Sequence, residues 1–233
     1  MRCCLAILAL TSLVACGDRA SVRLGAAASL SAVLPAALGD ADVEVVYGGS
    51  GELAAQLRHG APFDALLLAS PAPLARTAGA GLTTAPTAAI GNLLVLASRT
   101  PDGPTDPASA LRRAGCLALG APGVPAGDYA RRWLADLDHD AVRLVELPHV
   151  RAVAAAVETG ACPLGMVYAT DLRGRDLHAI ARWEPDDEVG PVYAWALVKA
   201  SPRAEAAKAL LEAALDRRDV FAAHGFRRVT VAR

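Results

Sequence analysis

Lysine is almost missing from this chain: of its 23 basic residues only two, at positions 199 and 208, are lysines, and the formal net charge is −1. With neither sign in excess, no polybasic surface for nucleic acid or anionic membrane is encoded. Aromatic residues make up only 4% of the chain, so an aromatic-rich binding face is not expected. The 54% hydrophobic content is mainly alanine, valine and leucine, which suits close-packed helices against a sheet. Neither a fixed-period repeat nor a low-complexity segment occurs. What the chain does have is length: 233 residues bury a full core and suffice for one large domain or two small ones.

The first residues read as an address. Arg2 forms a short positive region, Cys3 to Val14 an apolar run, and Leu13-Val14-Ala15-Cys16 closes it with small residues ahead of a cysteine. That run falls short of the roughly 20 residues that span a bilayer, so a cleaved export signal over residues 1–16 is expected. Leu-Val-Ala-Cys resembles the lipobox of bacterial lipoproteins, which implies lipidation of Cys16 as the mature N-terminus and a cell-envelope or periplasmic location. The alternative is ordinary secretion with Cys16 an incidental thiol. Cys3 and Cys4 leave with the signal, so Cys116 and Cys162 remain, each opening an apolar run. As the first residues of two neighbouring strands in an exported protein they can form a disulfide; two buried free thiols are the other reading.

From residue 22 onward strand-like runs alternate with helical spacing. Val22 to Ala28 reads as a strand and leads into Leu30, Val33, Leu34 and Leu38 at helical intervals, with Ser29 as N-cap and Pro35 inside the helix. Asp42 to Tyr47 forms the next strand, Ser50 opens a helix that Gly60 stops, and Phe63 to Ala69 is a strand buried on both faces. Ser70 caps a helix beginning at Pro71. Three such units in succession predict an α/β fold with a parallel sheet. A second set follows: strands at 92–97, 116–120, 142–145 and 164–168, helices at 128–137 and 150–159, then a strand at 192–198 and a helix at 202–215. Two lobes are expected, 22–84 with 196–233 and 85–195, enclosing a cleft beyond the carboxyl ends of the strands.

Into that cleft the first lobe brings Ser29 and Ser50 at helix starts, and the second brings the turn 125–127, the helix start at Val150, and Tyr168 at a strand end. Unpaired N–H groups and the macrodipole at a helix start favour an anion without any lysine or arginine. A set of neutral donors suits a fully ionised tetrahedral oxyanion, because a protonated ligand would require an acceptor. Arg151 reads as solvent-facing, Asp64 and Asp171 as structural, and His149 as either an added donor or a helix-start residue.

The segments Ala-Ala-Ala-Ser-Leu at 26–30, Gly-Gly-Ser-Gly-Glu-Leu-Ala at 48–54, Gly-Ala-Pro-Phe-Asp at 60–64, Gly-Asn-Leu-Leu-Val-Leu at 91–96, Val-Pro-Ala-Gly-Asp-Tyr-Ala at 124–130, Val-Arg at 150–151 and Gly-Met-Val-Tyr-Ala-Thr-Asp at 165–171 run in one order along the chain. Together they resemble the molybdate-binding proteins of ABC importers, members of the type II periplasmic binding fold. The resemblance implies a two-lobed monomer that holds molybdate or tungstate through Ser29, Ser50, the amides of Ala126 and Val150, and Tyr168. It further implies delivery to a membrane permease, with no cofactor and no protein-bound metal cation. The nearest alternative ligand is another tetrahedral oxyanion such as sulfate. A serine hydrolase is disfavoured because Gly48-Gly-Ser-Gly carries Glu52 where a nucleophile elbow needs glycine. A regulator's effector domain is disfavoured by the export signal and by the lack of DNA-binding helices.

Overall fold

The computed structural model describes residues 21–101, 104–183 and 190–229. The export signal and Cys16 lie outside the described residues. Two five-stranded mixed sheets carry the chain. The first is built from β1 (Val22–Ala27), β2 (Val43–Gly48), β3 (Ala65–Leu68), β4 (Thr87–Gly91) and β10 (Val192–Leu197), in the order β2-β1-β3-β10-β4. The second contains β5 (Leu94–Ser98), β6 (Cys116–Gly120), β7 (Arg143–Leu147), β8 (Leu164–Tyr168) and β9 (His178–Arg182), in the order β7-β6-β8-β5-β9.

Period-2 alternation explains how the first sheet is covered. Leu66 and Leu68 of β3 face a cluster with Leu53, Leu57 and Leu74, contributed by α2 (Ser50–Arg58) and α3 (Pro71–Gly79). Ala65 and Leu67 face the other way, into a core shared with Leu34 of α1 (Leu34–Leu38) and Leu211 of α7 (Ala204–Asp216). That second core runs on into the other lobe, where α5 (Pro125–Ala135) and α6 (Val150–Glu158) pack on β6 and β8 with Trp133, Val153 and Val157 buried. The helices α4 (Pro107–Arg113) and α8 (Arg218–Ala223) complete the set.

Four expectations change. Only β1–β2 and β1–β3 are parallel in the first sheet; β10 runs antiparallel to both β3 and β4. The sheets also divide the chain differently from the expected split at 84/85 and 195/196. Thr87–Gly91 and all of Val192–Leu197 belong to the first sheet, because Val192–Trp195 pair with β4 while Ala194–Leu197 pair with β3, which draws both strands out of the second. The first crossing between sheets is therefore the short link from Gly91 to Leu94. Ser29 is not an N-cap: it lies inside a one-turn 3-10 segment, Ala28–Leu30, whose cap is Ala27, and the α-helix restarts at Leu34 with Pro35 in its first turn, where a missing N–H is harmless. Finally, α5 begins at Pro125 rather than at 128, again with proline in the first turn.

Candidate functional site

Three helix starts and one strand end meet between the two sheets around a cavity of about 20 Å³. Ser29, Ser50, Ala126, Val150 and Tyr168 all line it, joined by the loop at Gly48 and Gly49 and by Ala69. Each arrives there through a local rule. The first intrahelical bonds are Leu53 N–H to Gly49 O, Asp128 N–H to Val124 O and Ala152 N–H to His149 O. The N–H groups of Ser50, Ala126 and Val150 therefore precede the helical ladder of α2, α5 and α6 and have no intrahelical acceptor. Partial positive charge from three macrodipoles converges on one small volume.

Close approach of α5 depends on two glycines. A Cβ on Gly127 would lie 2.0 Å from the carbonyl oxygen of Gly120, and one on Gly120 would meet Val124 at 2.7 Å. With no side chain at either position, the start of α5 closes directly onto the end of β6, and the Ala126 amide reaches the cavity wall.

The serine hydroxyls are held in place from behind. Ser50 Oγ accepts from the Ala69 N–H at 3.1 Å, leaving its own proton for the cavity. Ser29 Oγ lies 2.7 Å from the Tyr193 hydroxyl. Tyr168 is 1% exposed, and among the described residues its hydroxyl is the buried side-chain polar atom with no hydrogen-bond partner. Burial first, then the nearby Tyr193, Tyr129, Asp171 and Asp128, hold the Tyr168 phenol well above its ordinary pKa, so it remains a protonated donor. An orphaned hydroxyl of this kind is costly unless something arrives to accept from it.

No lysine, arginine or carboxylate lines the cavity. His149 does, as the N-cap of α6: its Nδ1 accepts from the Ala152 N–H at 3.1 Å, so it is a helix-start residue that also lines the cavity. Arg151 is not solvent-facing as expected. Its guanidinium donates to Ser31 Oγ at 2.5 Å, bridging α6 of one lobe to the segment after Ser29 in the other. Asp64 is structural, tied to Arg203, Ser201 and the Arg23 amide. Asp171 is buried behind Tyr168, accepts its N–H at 3.3 Å, and is raised to about 7 by burial against the opposing pull of that amide, Arg151 and Arg175.

Two residues of the site escape a linear reading. Tyr193 stands behind Ser29, outside the cavity lining, with its ring 5.9 Å from that of Tyr168. Asn92, in the link between β4 and β5, donates to Tyr193 at 3.3 Å and to Thr170 at 2.9 Å. The isolated polar residue in Gly-Asn-Leu-Leu-Val-Leu was the available signal for Asn92; nothing local marks Tyr193.

Cys116 and Cys162 are joined by a disulfide at the opposite pole of the second sheet, where β6 and β8 begin. Among the described residues there is no cluster of His, Cys, Asp and Glu able to hold a metal ion.

Comparison with known proteins places these features in a family. The chain is 31% identical over 174 residues to the putative ABC transporter substrate-binding lipoprotein YvgL of Bacillus subtilis (strain 168), covering 71% of this chain and 67% of that protein. The substrate binding domain of a putative molybdenum ABC transporter from Clostridium difficile superposes with a TM-score of 0.67 at 26% identity, over 89% of this chain and 98% of that one. The periplasmic molybdate-binding protein of Azotobacter vinelandii superposes with a TM-score of 0.78 at 18% identity, over 90% and 100% of the two chains, a likeness of fold. The two-sheet α/β architecture is thus that of the type II periplasmic binding proteins. Residues 25–227 match the family model for bacterial extracellular solute-binding proteins, and it is to that family that this chain belongs.

Proposed function

We propose that this protein is the binding component of an ABC importer and carries a fully ionised tetrahedral oxyanion, molybdate or tungstate, to a membrane permease. The observation that carries the reading is the Tyr168 hydroxyl, buried and unpartnered in a cavity that is also lined by Ser29, Ser50 and the starts of α5 and α6. Ser29 and Ser50 hydroxyls, the Ala126 and Val150 amides and Tyr168 would each donate to one oxygen of the anion. Three helix starts supply the positive potential that lysine and arginine do not. Export on a signal ending at Cys16, anchoring through lipid on that cysteine, and action as a monomer complete the proposal.

Catalysis is not part of it. The Ser50 hydroxyl is engaged with the Ala69 amide and the Ser29 hydroxyl with Tyr193, while His149 Nδ1 is occupied as a helix cap. Neither serine is hydrogen-bonded to a base that could take its proton, as a nucleophile requires.

Isothermal titration calorimetry of the chain starting at Gly17 against molybdate, tungstate, sulfate and hydrogen phosphate tests the proposal. Saturable binding of molybdate or tungstate, with hydrogen phosphate silent, is expected. Silence with both metal oxyanions at protein concentrations that detect micromolar binding would overturn it, and preferential binding of sulfate would reassign the ligand.

A further inference from the structure

Behind the cavity wall, four groups form a chain of hydrogen bonds whose direction can be worked out from its far end. The Asn92 side-chain oxygen accepts from the Leu93 N–H at 2.8 Å, which fixes the amide so that its nitrogen faces Thr170 and Tyr193. One Nδ2 proton goes to Thr170 Oγ1 at 2.9 Å and the other to the Tyr193 hydroxyl at 3.3 Å. Tyr193 is fully buried, and its ring is held by edge contact with Phe226 at 5.6 Å and by Tyr168 at 5.9 Å. Having accepted from Asn92, its hydroxyl has one proton to donate, and Ser29 Oγ at 2.7 Å is the acceptor within reach. Ser29 is then itself an acceptor from Tyr193, and its own proton turns to the cavity.

We infer that Tyr193 and Asn92 are positioning and specificity-determining residues: by donating into the Ser29 hydroxyl they turn its own proton toward the cavity, and so bias the site against oxyanions that carry a proton. The inference rests on the oxyanion reading above and adds to it the reason for discrimination. Ser50 is polarised in the same sense by the Ala69 amide, so each serine has one lone pair engaged by the protein and its own proton left for the cavity. Hydrogen phosphate bound here would aim its O–H at a wall of donors, and a buried donor without an acceptor is penalised far more than a missing bond is missed. Molybdate and tungstate bring no proton at neutral pH and escape the penalty.

Asn92 also sits on the link between the sheets, bonded to Thr170 in the second lobe and Tyr193 in the first. Donor direction at Ser29 therefore depends on the two lobes being in register.

The test is a double-mutant cycle of Tyr193→Phe and Ser29→Ala, read by calorimetry with molybdate and hydrogen phosphate, with Asn92→Ala as a second route into the same chain. Tyr193→Phe keeps the ring packing and removes the hydroxyl that polarises Ser29, along with one of the two acceptors of the Asn92 amide. It is expected to weaken molybdate binding about tenfold, the scale of a hydrogen bond to a charged group, and to narrow the molybdate to hydrogen phosphate ratio by a similar factor. In the Ser29→Ala background the same change should cost almost nothing, because the residue it acts through is gone. Asn92→Ala should narrow the ratio in the same direction. A role confined to packing would lower affinity for every anion equally and persist in the Ser29→Ala background; that result, or unchanged selectivity in both variants, overturns the inference. Wild-type protein that binds no oxyanion overturns the proposed function instead, and the inference with it.

Discussion

Tyr168 is the residue where fold and function pull in opposite directions. A buried hydroxyl without a partner costs about 1–3 kcal/mol, and the fold retains one at the centre of the cleft. Tyr168→Phe should therefore leave the ligand-free melting temperature unchanged or raised while weakening oxyanion binding by about 1.5–3 kcal/mol, the usual loss for a bond to a charged acceptor. Thermal melts set beside calorimetry read both signs; a loss of both stability and affinity would make the tyrosine a packing residue only. Asp171, just behind it, gives a pH dependence of unusual sense. Burial lifts its pKa from 3.8 to about 7, so between those values the folded chain holds a proton that the unfolded chain has released. The fold consequently loses stability as pH rises from about 4 to 7, and the full cost of burying the carboxylate is present above that range. Asp171→Asn keeps an acceptor for the Tyr168 amide, so it should melt higher than wild type at pH 8 and lose that advantage near pH 4. Ser29, Ser50 and Tyr168 were readable from the sequence because each stands where a strand yields to a helical turn. Tyr193 was not, since period-2 alternation tells which face a strand residue takes but cannot name a partner 164 positions away.

At the scale of elements, the helices over the site and the neighbouring strands of Cys116 and Cys162 were legible, whereas α4, α8 and the partners of β10 were not. The spacing of Tyr129, Trp133 and Leu134, and of Val150, Val153, Ala154 and Val157, marks the buried stripes of α5 and α6 as they stand in the structure. Pairing of β10 with β4 depends on contacts between segments about 100 positions apart, for which local periodicity offers no sign. For that reason the expected lobe split falls several residues from where the sheets divide. The approach of α5 to β6 supplies the element-scale prediction. Any side chain at Gly127 must displace the backbone of Gly120, so Gly127→Ala forces the start of α5 off the sheet and carries the Ala126 amide with it. Overpacking of this kind costs about 1–3 kcal/mol in stability, and binding should fall along with it. Gly79→Ala, where a Cβ meets nothing within 4 Å at the end of α3, is the matched control: it should leave binding unchanged and stability unchanged or slightly raised.

For the molecule as a whole, closure and cross-linking occupy opposite poles. The disulfide spans 46 positions and joins the starts of β6 and β8, whereas the cavity lies at their ends. Replacing both Cys116 and Cys162 by alanine should remove about 4 kcal/mol of unfolded-state constraint and lower the melting temperature by roughly 10 °C, with oxyanion affinity unaffected. Two contacts bridge the lobes at the cleft rim. A Cβ on Gly49 would lie 3.2 Å from the Pro148 carbonyl oxygen across the cleft, and Arg151 reaches Ser31 over the same gap. Gly49 has φ −63° and ψ 137°, a conformation open to any L-residue, so Gly49→Ala adds no backbone strain within its own lobe. Its methyl group crowds Pro148 of the facing lobe, while its nearest neighbour in its own lobe, Glu52, stands at 3.7 Å. Arg151→Ala acts in the same direction by removing an attraction instead of adding a repulsion. Because apparent affinity scales with the fraction of molecules able to close, each variant should weaken oxyanion binding severalfold at unchanged ligand-free melting temperature. The loss should appear as faster dissociation in stopped-flow displacement, since closure retains the ion after it has entered. A variant whose association slows while dissociation holds would place these contacts on the path of entry and not in the closed state.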